Sequence, residues 1–461
     1  MRLPRILSLA LLGGFVGFVG CDMASVQPDA EQLVAASDSK LRHWSLLDRT
    51  DASGRSDVLK AFSSAGADSI GVVVTFEEGT DEHFADANLE VVFSTLGIRS
   101  RKYFRDGLEG VSVVAPKDHL EELVEQVGRK DFVEHIEPDT PLAFRYEQAR
   151  VDLDDDNGQV TPWQVYTANA HEGPAKAGDG RGEVDLDLFI IDTYVEPSPD
   201  LNLVSSVRIH DAAETYDGTH GTHIAGIAAA RDNDFGIVGV APGARIHSLD
   251  VMRPEGYAYM SDLIAAVEHV MAYKEAHPNR PIVVNMSVGA RLDTDEYNAL
   301  DEAVEKAIDM GVTFVVAAGN DGIDARFQSP AHVKGAITVG SASGLGKFSR
   351  FSNHGSLIDI VAVGEDIVST AGGDYFAQLS GSSQSTPSVT GAALTHLWQH
   401  PGASPQEVRD ALVRNAHNSV WRWGLPSNTT RKGVNIPKAS SGGGDDRHDR
   451  DDDDDDDDDN D

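Results

Sequence analysis

The chain has 461 residues, 40% of them hydrophobic, which excludes a disordered chain and leaves room for two or three domains. Its 38 Lys and Arg against 75 Asp and Glu give a formal net charge of −37, and this acidity argues against nucleic acid as a partner. The single cysteine, Cys21, excludes an intramolecular disulfide.

Residues 1–21 have the layout of a signal peptide. Arg2 and Arg5 precede an uncharged, largely apolar run from 6 to 20, which is short and glycine-rich for a membrane span. The run ends FVGC, which resembles the lipobox of bacterial lipoproteins, although Phe18 stands where an aliphatic residue is usual. This resemblance implies that Cys21 is acylated and anchors an exported precursor to a membrane. The alternative is ordinary signal-peptidase cleavage nearby, which leaves Cys21 without a role.

Residues 22–68 are polar and rich in alanine and serine, and are interpreted as a tether. A small domain is predicted at 69–143. Its strands are predicted at 70–76, 98–104, 110–116 and 132–139, and its helices near 81–92 and at 117–130. The resulting β-α-β-β-α-β order is that of a ferredoxin-like α+β domain.

Residues 144–180 are acidic and irregular, and are interpreted as a linker and the start of the mature protein, before a larger domain at 181–425. Apolar strand runs in this domain lie at 188–192, 244–252, 281–289 and 312–320, and helices at 261–277 and 295–310. Such strands separated by helices predict an α/β domain in three layers, with a parallel sheet covered on both faces. A late helix begins with Ser404 as its N-cap and Glu407 closing a capping box. Residues 426–461 are predicted to be a flexible linker that ends in a run of aspartates.

Three chemically active residues lie where strands end or helices begin, the places where reactive groups collect in open α/β sheets. Asp192 ends an apolar strand run, His220 lies in DGTHGTHIAG together with His223, and Ser383 precedes an apolar helix. Each signal is weak alone, because Asp and Ser commonly cap turns and helices, and a histidine pair could bind zinc. The zinc interpretation lacks a third ligand and a glutamate of the HExxH type.

Taken together, the order Asp, His, Ser with its local motifs resembles the subtilisin-like (subtilase) family of serine peptidases. The motifs are IIDTYVEPSPDL at 190–201, HGTHIAGI at 220–227, VVAAGN at 315–320 and GSSQSTPSVTG at 381–391. Residues 324–341 are similar to the proteinase K group, and the resemblance covers roughly 160–425. It implies a catalytic triad of Asp192, His220 and Ser383, and an oxyanion hole that includes Asn320. His223 is then a packing residue.

The resemblance also implies how substrate binds. One wall of the cleft is expected at Ser287, Val288 and Gly289, and Ala318 and Gly319 are expected to line the specificity pocket. A protein or peptide substrate would add as a strand through its backbone. The chemistry requires no cofactor. Subtilases often bind structural calcium, but the sequence assigns no ligands to it.

Several residues depart from the family pattern. Ala290 stands where a second glycine is frequent and is expected to narrow the pocket slightly. Tyr194 replaces the glycine that usually follows the Asp-Thr pair, and Gln384 replaces a methionine beside the nucleophile. None of these changes removes a catalytic atom.

The resemblance further implies that the 69–143 domain is a propeptide that assists folding and then inhibits the protease. Self-cleavage is expected somewhere in 140–160. The whole chain is therefore expected to be a self-processing, secreted or surface-tethered serine endopeptidase, membrane-anchored as a precursor and periplasmic or extracellular when mature. The alternative is a non-catalytic surface binding protein on a subtilase scaffold, with the aspartate run binding cations. A merely solubilising tail explains the aspartates equally well.

Overall fold

The structure is a computed structural model that describes residues 69–105, 108–143, 149–151, 158–292, 294–420 and 424–439. The predicted signal peptide with Cys21, the tether at 22–68 and the aspartate run therefore lie outside the described residues. Among the helices of the described part, none is both long and apolar enough to cross a membrane.

The N-terminal unit is an antiparallel sheet with two helices packed on one face. Its elements are β1 (Ser69–Phe76), α1 (Glu82–Leu96), β2 (Arg99–Phe104), β3 (Gly110–Pro116), α2 (Leu120–Val127) and β4 (Val133–Pro138), with a 3-10 turn at Lys117–His119 before α2. The described strands lie in the order β2-β3-β1-β4, which confirms the predicted ferredoxin-like arrangement. Leu120, Leu123, Val124 and Val127 form the buried face of α2, because positions spaced three and four apart share one side of a helix.

The rest of the described chain forms a larger α/β unit. β5 (Pro141–Ala143) continues the N-terminal unit, and the strands of the larger unit are β6 (Ala149–Val151), β7 (Asp187–Asp192), β8 (Leu203–Arg208), β9 (Arg245–Asp250), β10 (Tyr257–Tyr259), β11 (Ile282–Met286), β12 (Ala290–Arg291), β13 (Thr313–Ala317), β14 (Gln328–Ser329), β15 (Ile337–Ala342), β16 (Ile360–Val363), β17 (Ile367–Thr370), β18 (Phe376–Leu379), β19 (His417–Asn418) and β20 (Lys432–Gly433). Its helices are α3 (Trp163–Thr167), α4 (Thr219–Ala229), α5 (Met260–Ala276), α6 (Ala299–Asp309), α7 (Ser382–Gln399) and α8 (Pro405–Asn415).

The central sheet has the order β19-β20-β16-β15-β13-β11-β7-β9-β8 over the residues described, and its ladders from β20 to β8 are parallel. Alternate residues of β7 enter different cores. Leu188 and Ile190 pack with α4, α7 and α8, whereas Phe189 and Ile191 pack with α5 and α6. Helices therefore cover both faces, and the predicted α/β fold with three layers is confirmed.

The predicted domain limits of 181 and 425 are too narrow. Val165 and Ala168, before 181, belong to the same core as Val434 and Ile436, after 425. The N–H of Ile436 donates to the carbonyl of Ala168 at 2.8 Å, which joins the two flanking segments. Residues 158–180 thus pack onto the unit, as the start of the mature protein would, whereas residues 426–439 were predicted as flexible linker and instead contribute apolar residues to the same core.

Side-chain caps set the beginnings of two helices. The Asn298 side chain accepts from the N–H of Asp301 at 3.0 Å, so α6 begins at Ala299, four residues later than the predicted start at 295. The predicted capping box of α8 is confirmed, because Ser404 Oγ accepts from the N–H of Glu407 and Glu407 Oε2 accepts from the N–H of Ser404.

Candidate active site

Asp192 and His220 form a buried pair at the carboxyl end of the central sheet. Asp192 is the last residue of β7, and His220 is the second residue of α4. Asp192 Oδ1 accepts from the N–H of Thr193 at 2.7 Å and lies 2.7 Å from His220 Nδ1. The N–H of Gly221 donates to Thr193 Oγ1 at 2.7 Å, which fixes the start of the helix against the end of the strand. With Nδ1 directed at a carboxylate, Nε2 is the nitrogen of His220 that can accept a proton.

His223 has a different environment one turn along the same helix. Its side chain is fully buried, and Nε2 lies 3.0 Å from the carbonyl oxygen of Ile367 and 3.1 Å from that of Ala377. Burial lowers the pKa of His223 to about 3, so the ring is neutral and donates to these carbonyls. It joins α4 to the β17–β18 hairpin, which is a packing role.

Ser383 is the second residue of α7 and lies beside the end of β11. Its hydroxyl donates to the carbonyl of Ser287 at 3.1 Å, and the hydroxyl of Ser287 donates to the carbonyl of Ser383 at the same distance. The Ser383 side chain is nearly buried but retains 7% exposure. The reciprocal bonds hold the first turn of α7 against the residues that follow β11.

Asn320 follows β13 and faces the same turn. Its Oδ1 accepts from the N–H of Ser382 at 2.8 Å, and Ser382 Oγ accepts from the N–H of Gly319 at 3.1 Å. This hydrogen bond fixes the orientation of the Asn320 side-chain amide, whose Nδ2 group can then donate to another acceptor. The Asn320 amide and the N–H of Ser383, at the positive end of a helix, are donors of the kind that stabilise a developing oxyanion.

Asn285 supports this turn and escaped the sequence prediction. Its Nδ2 donates to Ser287 Oγ at 2.9 Å, and its Oδ1 accepts from Thr390 Oγ1 at 2.8 Å. Hydrogen-bonded side chains therefore connect α7 through β11 to the turn that holds Ser383. The available signal was a lone amide within the apolar strand run PIVVNM.

The predicted substrate-binding residues follow two neighbouring strands. Ser287, Val288 and Gly289 come after β11, and Ala318 and Gly319 come after β13, which pairs with it. The topology therefore brings the two groups to one edge of the sheet. The side chain of Ala318 itself is fully buried.

Gln328 lies against both glycines of this region and was not predicted. A Cβ atom at Gly289 would be 3.1 Å from Gln328 Nε2, and one at Gly319 would be 3.0 Å from Gln328 Cδ. Gly319 also has φ +96°, which favours glycine. The carbonyl oxygen of Ser329 and Asn353 Nδ2 lie still closer to these two Cβ positions, so Gln328 is one of several groups packed against the glycines. The side chain of Ala290 is buried beside Ser329.

Two family departures lie close to the triad. The Tyr194 ring covers the start of α4, since a Cβ at Gly218 would lie 2.6 Å from it. Tyr194 shares a hydrogen bond with Glu196, and burial raises the pKa of both groups. Gln384 Nε2 is buried without a hydrogen-bond partner among the described residues.

A second polar cluster gathers oxygen atoms around one side chain. Gln159 Nε2 lies 2.6 to 3.4 Å from four oxygens, which are the carbonyls of Arg231, Phe235 and Ile237 and Oδ1 of Asn233. An amide nitrogen has two protons and cannot donate to all four. Asp200 hydrogen-bonds Asn233, its Oδ1 is buried without a partner among the described residues, and burial raises its pKa to about 7. Such a set of oxygens, with one buried carboxylate, suits a calcium ion.

Two carboxylates of the N-terminal unit lie at the beginnings of helices in the larger unit. Glu137 Oε1 accepts from the N–H of Ala299, at the start of α6, at 3.0 Å. Asp139 accepts from the N–H and the hydroxyl of Ser261, in the first turn of α5, at 3.0 and 2.7 Å. First-turn N–H groups have no partner within their own helix, so the N-terminal unit supplies it. Burial raises the pKa of Glu137 to about 8.

The segment after β4 continues onto the larger unit. β5 pairs antiparallel with β10, and the carbonyl of Thr140 accepts from the N–H of Met260 at 3.2 Å. Phe104 and Leu108 pack in the same core as α5. The N-terminal unit therefore contacts α5, α6 and a strand edge.

The family model for the subtilase family matches residues 184–449. An extracellular serine proteinase of Thermus sp. (strain Rt41A) is 34% identical over 333 residues, 70% of this chain and 75% of that protein. An alkaline protease of Alkalihalobacillus alcalophilus is 31% identical over 286 residues, 62% of this chain and 71% of that protein.

A subtilase-type proteinase of Schizosaccharomyces pombe (strain 972 / ATCC 24843) is 36% identical over 253 residues, and the chain spans about half, 51%, of its length. The crystal structure of fervidolysin from Fervidobacterium pennivorans, a keratinolytic enzyme related to subtilisin, matches with a TM-score of 0.61 at 20% identity. That match covers 80% of this chain and 60% of the solved one, and it shows a shared fold.

Proposed function

The chain belongs to the subtilase family and is a subtilisin-like serine endopeptidase, and we propose that Ser383, His220 and Asp192 carry its reaction. The observation that supports these roles is the buried His220–Asp192 contact of 2.7 Å at the start of α4, a helix that packs in one core with α7, which begins with Ser382 and Ser383. A serine hydroxyl attacks a peptide carbonyl only when a base takes its proton. The O–H of Ser383 must turn from the Ser287 carbonyl toward the imidazole for that transfer.

Each residue then has one task in the reaction. His220 accepts the Ser383 proton and returns it to the leaving amine, and Asp192 holds the ring tautomer and stabilises the imidazolium. The amide of Asn320 and the N–H of Ser383 stabilise the oxyanion of the tetrahedral intermediate. Water repeats the sequence on the acyl-enzyme and frees the second product.

One experiment tests the catalytic assignment. Ser383→Ala should abolish peptide hydrolysis, and a serine-directed phosphonate should label the wild type at Ser383 alone. A non-catalytic surface binding protein would give no hydrolysis with the wild type either. An alanine variant that keeps its activity would refute the assigned nucleophile.

Substrates are proposed to be proteins or peptides that add a strand to the cleft between the residues after β11 and those after β13. Backbone hydrogen bonds of this kind are independent of sequence, so specificity comes from the pocket beside Gly289 and Gly319. Gln328 lies against both glycines and is proposed to restrict that pocket. Gln328→Gly should therefore favour larger side chains before the cleaved bond, and an unchanged preference across a peptide library would remove Gln328 from this role.

The N-terminal unit is proposed to be a propeptide that inhibits the enzyme. Support comes from its contacts with α5 and α6 and from β5, which is added to β10 in the manner of a bound strand. Cleavage is assigned to the segment between β5 and β6, within the 140–160 expected from the sequence. The Ser383→Ala chain should accumulate uncleaved in a host that lacks other proteases, and normal maturation of that variant would contradict self-processing.

Export is proposed from the signal-peptide pattern and from one relative that is named as extracellular. If Cys21 is acylated, the lipid lies before the propeptide and the triad lies after it, so self-cleavage cuts the covalent link to the membrane. The active domain should fractionate as soluble, and full-length Ser383→Ala as membrane-bound. Cys21→Ala should abolish this attachment. A mature wild-type enzyme that stays in the membrane fraction would contradict the release step.

Calcium is proposed to bind the oxygens around Gln159, with Asp200 as the charged ligand. The ion would supply the positive charge that these oxygen atoms need in place of hydrogen-bond donors. It would also hold the loop at 231–237 to Gln159, near the start of the larger unit. Calcium should raise the thermal midpoint of wild type and much less that of Asp200→Asn. The aspartate run also offers only oxygens. Equal calcium uptake by the full chain and by a chain ending at Ser441 would exclude a site there.

A further inference from the structure

Three side chains with metal-binding atoms meet where the N-terminal unit touches α6. Glu134 and His135 lie on β4, and Glu302 lies in the first turn of α6. His135 Nε2 is 3.8 Å from Glu134 Oε1 and 3.5 Å from Glu302 Oε1. One ligand atom from each residue lies within 4.8 Å of the other two.

These separations are close to those around a tetrahedral metal ion. Zinc binds histidine nitrogen and carboxylate oxygen at about 2.0–2.2 Å, so neighbouring ligand atoms in a tetrahedral site lie about 3.4 Å apart. The two distances from His135 differ from that value by a few tenths of an ångström. Small rotations of the two glutamate side chains would complete the geometry.

The electrostatic environment also favours a cation. Glu302, Glu137 and Glu77 add negative charge around Glu134 and His135, and His135 and then Lys306 are the positive groups that act on Glu134. The side-chain ion pairs of Glu134 and Glu302 within the described chain are made with His135.

We propose that Glu134, His135 and Glu302 bind a divalent transition-metal ion of the zinc type, with water in the remaining position. One imidazole with two carboxylates suits such an ion better than calcium or magnesium, which prefer oxygen alone. The site is accessible, because the side chains of Glu134, His135 and Glu302 are 38%, 19% and 24% exposed. It lies apart from the proposed calcium site and from the triad.

The ion would join the two units, since two ligands come from the N-terminal unit and one from α6. A bound ion therefore opposes separation of the units. This regulatory consequence rests on the proposed inhibitory role of the N-terminal unit, whereas metal binding itself does not.

The test uses the full chain carrying Ser383→Ala, which prevents self-cleavage. Zinc is added to the metal-free protein in a calorimeter at pH 7.5, and the titration is repeated with His135→Gln, Glu302→Gln and Glu134→Gln in the same background. We expect each substitution to weaken one zinc site at least tenfold. Cobalt should report the same site through its visible absorption.

The matched control is His119→Gln. His119 and Glu122 also approach each other, at 4.0 Å, but both are exposed on the N-terminal unit alone. This substitution should leave zinc binding unchanged, and the aspartate run is identical in every variant. Thermal unfolding of the metal-free proteins identifies any variant that fails to fold. If His135→Gln or Glu302→Gln does so, Glu134→Gln still tests the site, because the side chain of Glu134 is the most exposed of the three.

Equal zinc stoichiometry and affinity in the parent chain and in both His135→Gln and Glu302→Gln would overturn the site. The regulatory part is tested separately with catalytically intact chains. Micromolar zinc should delay the onset of activity in wild type at least severalfold more than in Glu302→Gln. Residue-dependent binding with an identical delay in both would retain the site and overturn its regulatory role.

Discussion

Buried carboxyl groups accept hydrogen bonds from backbone N–H groups in two regions of this molecule, within the larger unit and at the junction between the two units. Asp192 accepts from a backbone N–H and from His220, and all three groups belong to the larger unit. Glu137 and Asp139 also accept from backbone N–H groups, but their donors, Ala299 and Ser261, belong to the other unit. The first arrangement survives any cut between the units, whereas the second is lost when they separate.

The helices of the second region retain part of their capping without the N-terminal unit. α6 keeps the reciprocal bonds of Asn298 and Asp301, and in α5 Asp262 accepts from the N–H of Tyr259 at 3.3 Å. Glu137 and Asp139 therefore add to local caps rather than replace them. The difference suggests that the larger unit can stay folded after the N-terminal unit leaves.

Asp192→Asn changes the carboxyl group within the larger unit and should have the largest effect. We expect a loss of about 10⁴ in kcat, because the amide stabilises the wrong imidazole tautomer of His220. The matched control is Asp250→Asn. Asp250 is the register partner of Asp192 on β9, is also buried, and has a pKa raised to about 6 by burial. Steady-state kinetics should show a far smaller loss for Asp250→Asn, and an equal loss would deny Asp192 a special role.

Asn320→Ala should have the next largest effect, a fall of about 10²–10³ in kcat with little change in KM. The reason is that its amide donates to an oxyanion that exists only after attack. A rise in KM at constant kcat would show instead that Asn320 binds the ground state.

The candidate active-site residues could be selected from the sequence because the proposed chemistry restricts both residue type and position. Asp192, His220 and Ser383 each stand at a strand end or a helix start within a recognisable motif. The apolar strand runs likewise predicted the sheet, since buried parallel strands need nearly continuous hydrophobic residues.

Contacts between distant segments were not predictable in this way. Glu137 and Ala299 are 162 positions apart, and nothing in the pattern around either residue indicates the other. The proposed calcium ligands include main-chain carbonyls, which any residue type supplies. After residue 425, Val434 and Ile436 are the apolar residues that enter the core, and two such residues are too few to form a recognisable pattern in the sequence.

Asp139→Asn weakens the separable region. The substitution replaces a carboxyl group that accepts from both the N–H and the hydroxyl of Ser261. The N-terminal unit should therefore separate from α5 about ten times more often. Hydrogen exchange of the intact Ser383→Ala chain measures this opening through the amides in the first turn of α5. The amides of α4 serve as the internal reference and should not change. Faster exchange in both helices would indicate general destabilisation rather than undocking.

The pH dependence of docking should give the smallest effect and the sharpest contrast between the two regions. The pKa of Glu137 is about 8 when docked, above the ordinary value of about 4.5 in the separated unit, so the docked form holds its proton more tightly. Its contribution to docking is full below about pH 4.5 and is lost as the pH rises through about 8. The raised pKa of His135 acts in the same direction, from 6.5 upward. Protection of the Ala299 amide, corrected for intrinsic exchange, should fall severalfold between pH 6 and pH 8.

Glu137→Gln should flatten this pH dependence and leave docking at pH 8 at least as strong as in wild type. The neutral amide keeps an oxygen that can accept from the N–H of Ala299 and avoids the cost of burying a charge. Glu121→Gln, on an exposed residue of the same unit, is the control and should preserve the wild-type slope. If Glu137→Gln instead weakens docking equally at every pH, then the ionised carboxylate is what holds the helix start. Glu137 would then act as an ionised hydrogen-bond acceptor, as Asp192 is proposed to do. The remaining difference would be that the N–H group bound by Glu137 belongs to the other unit.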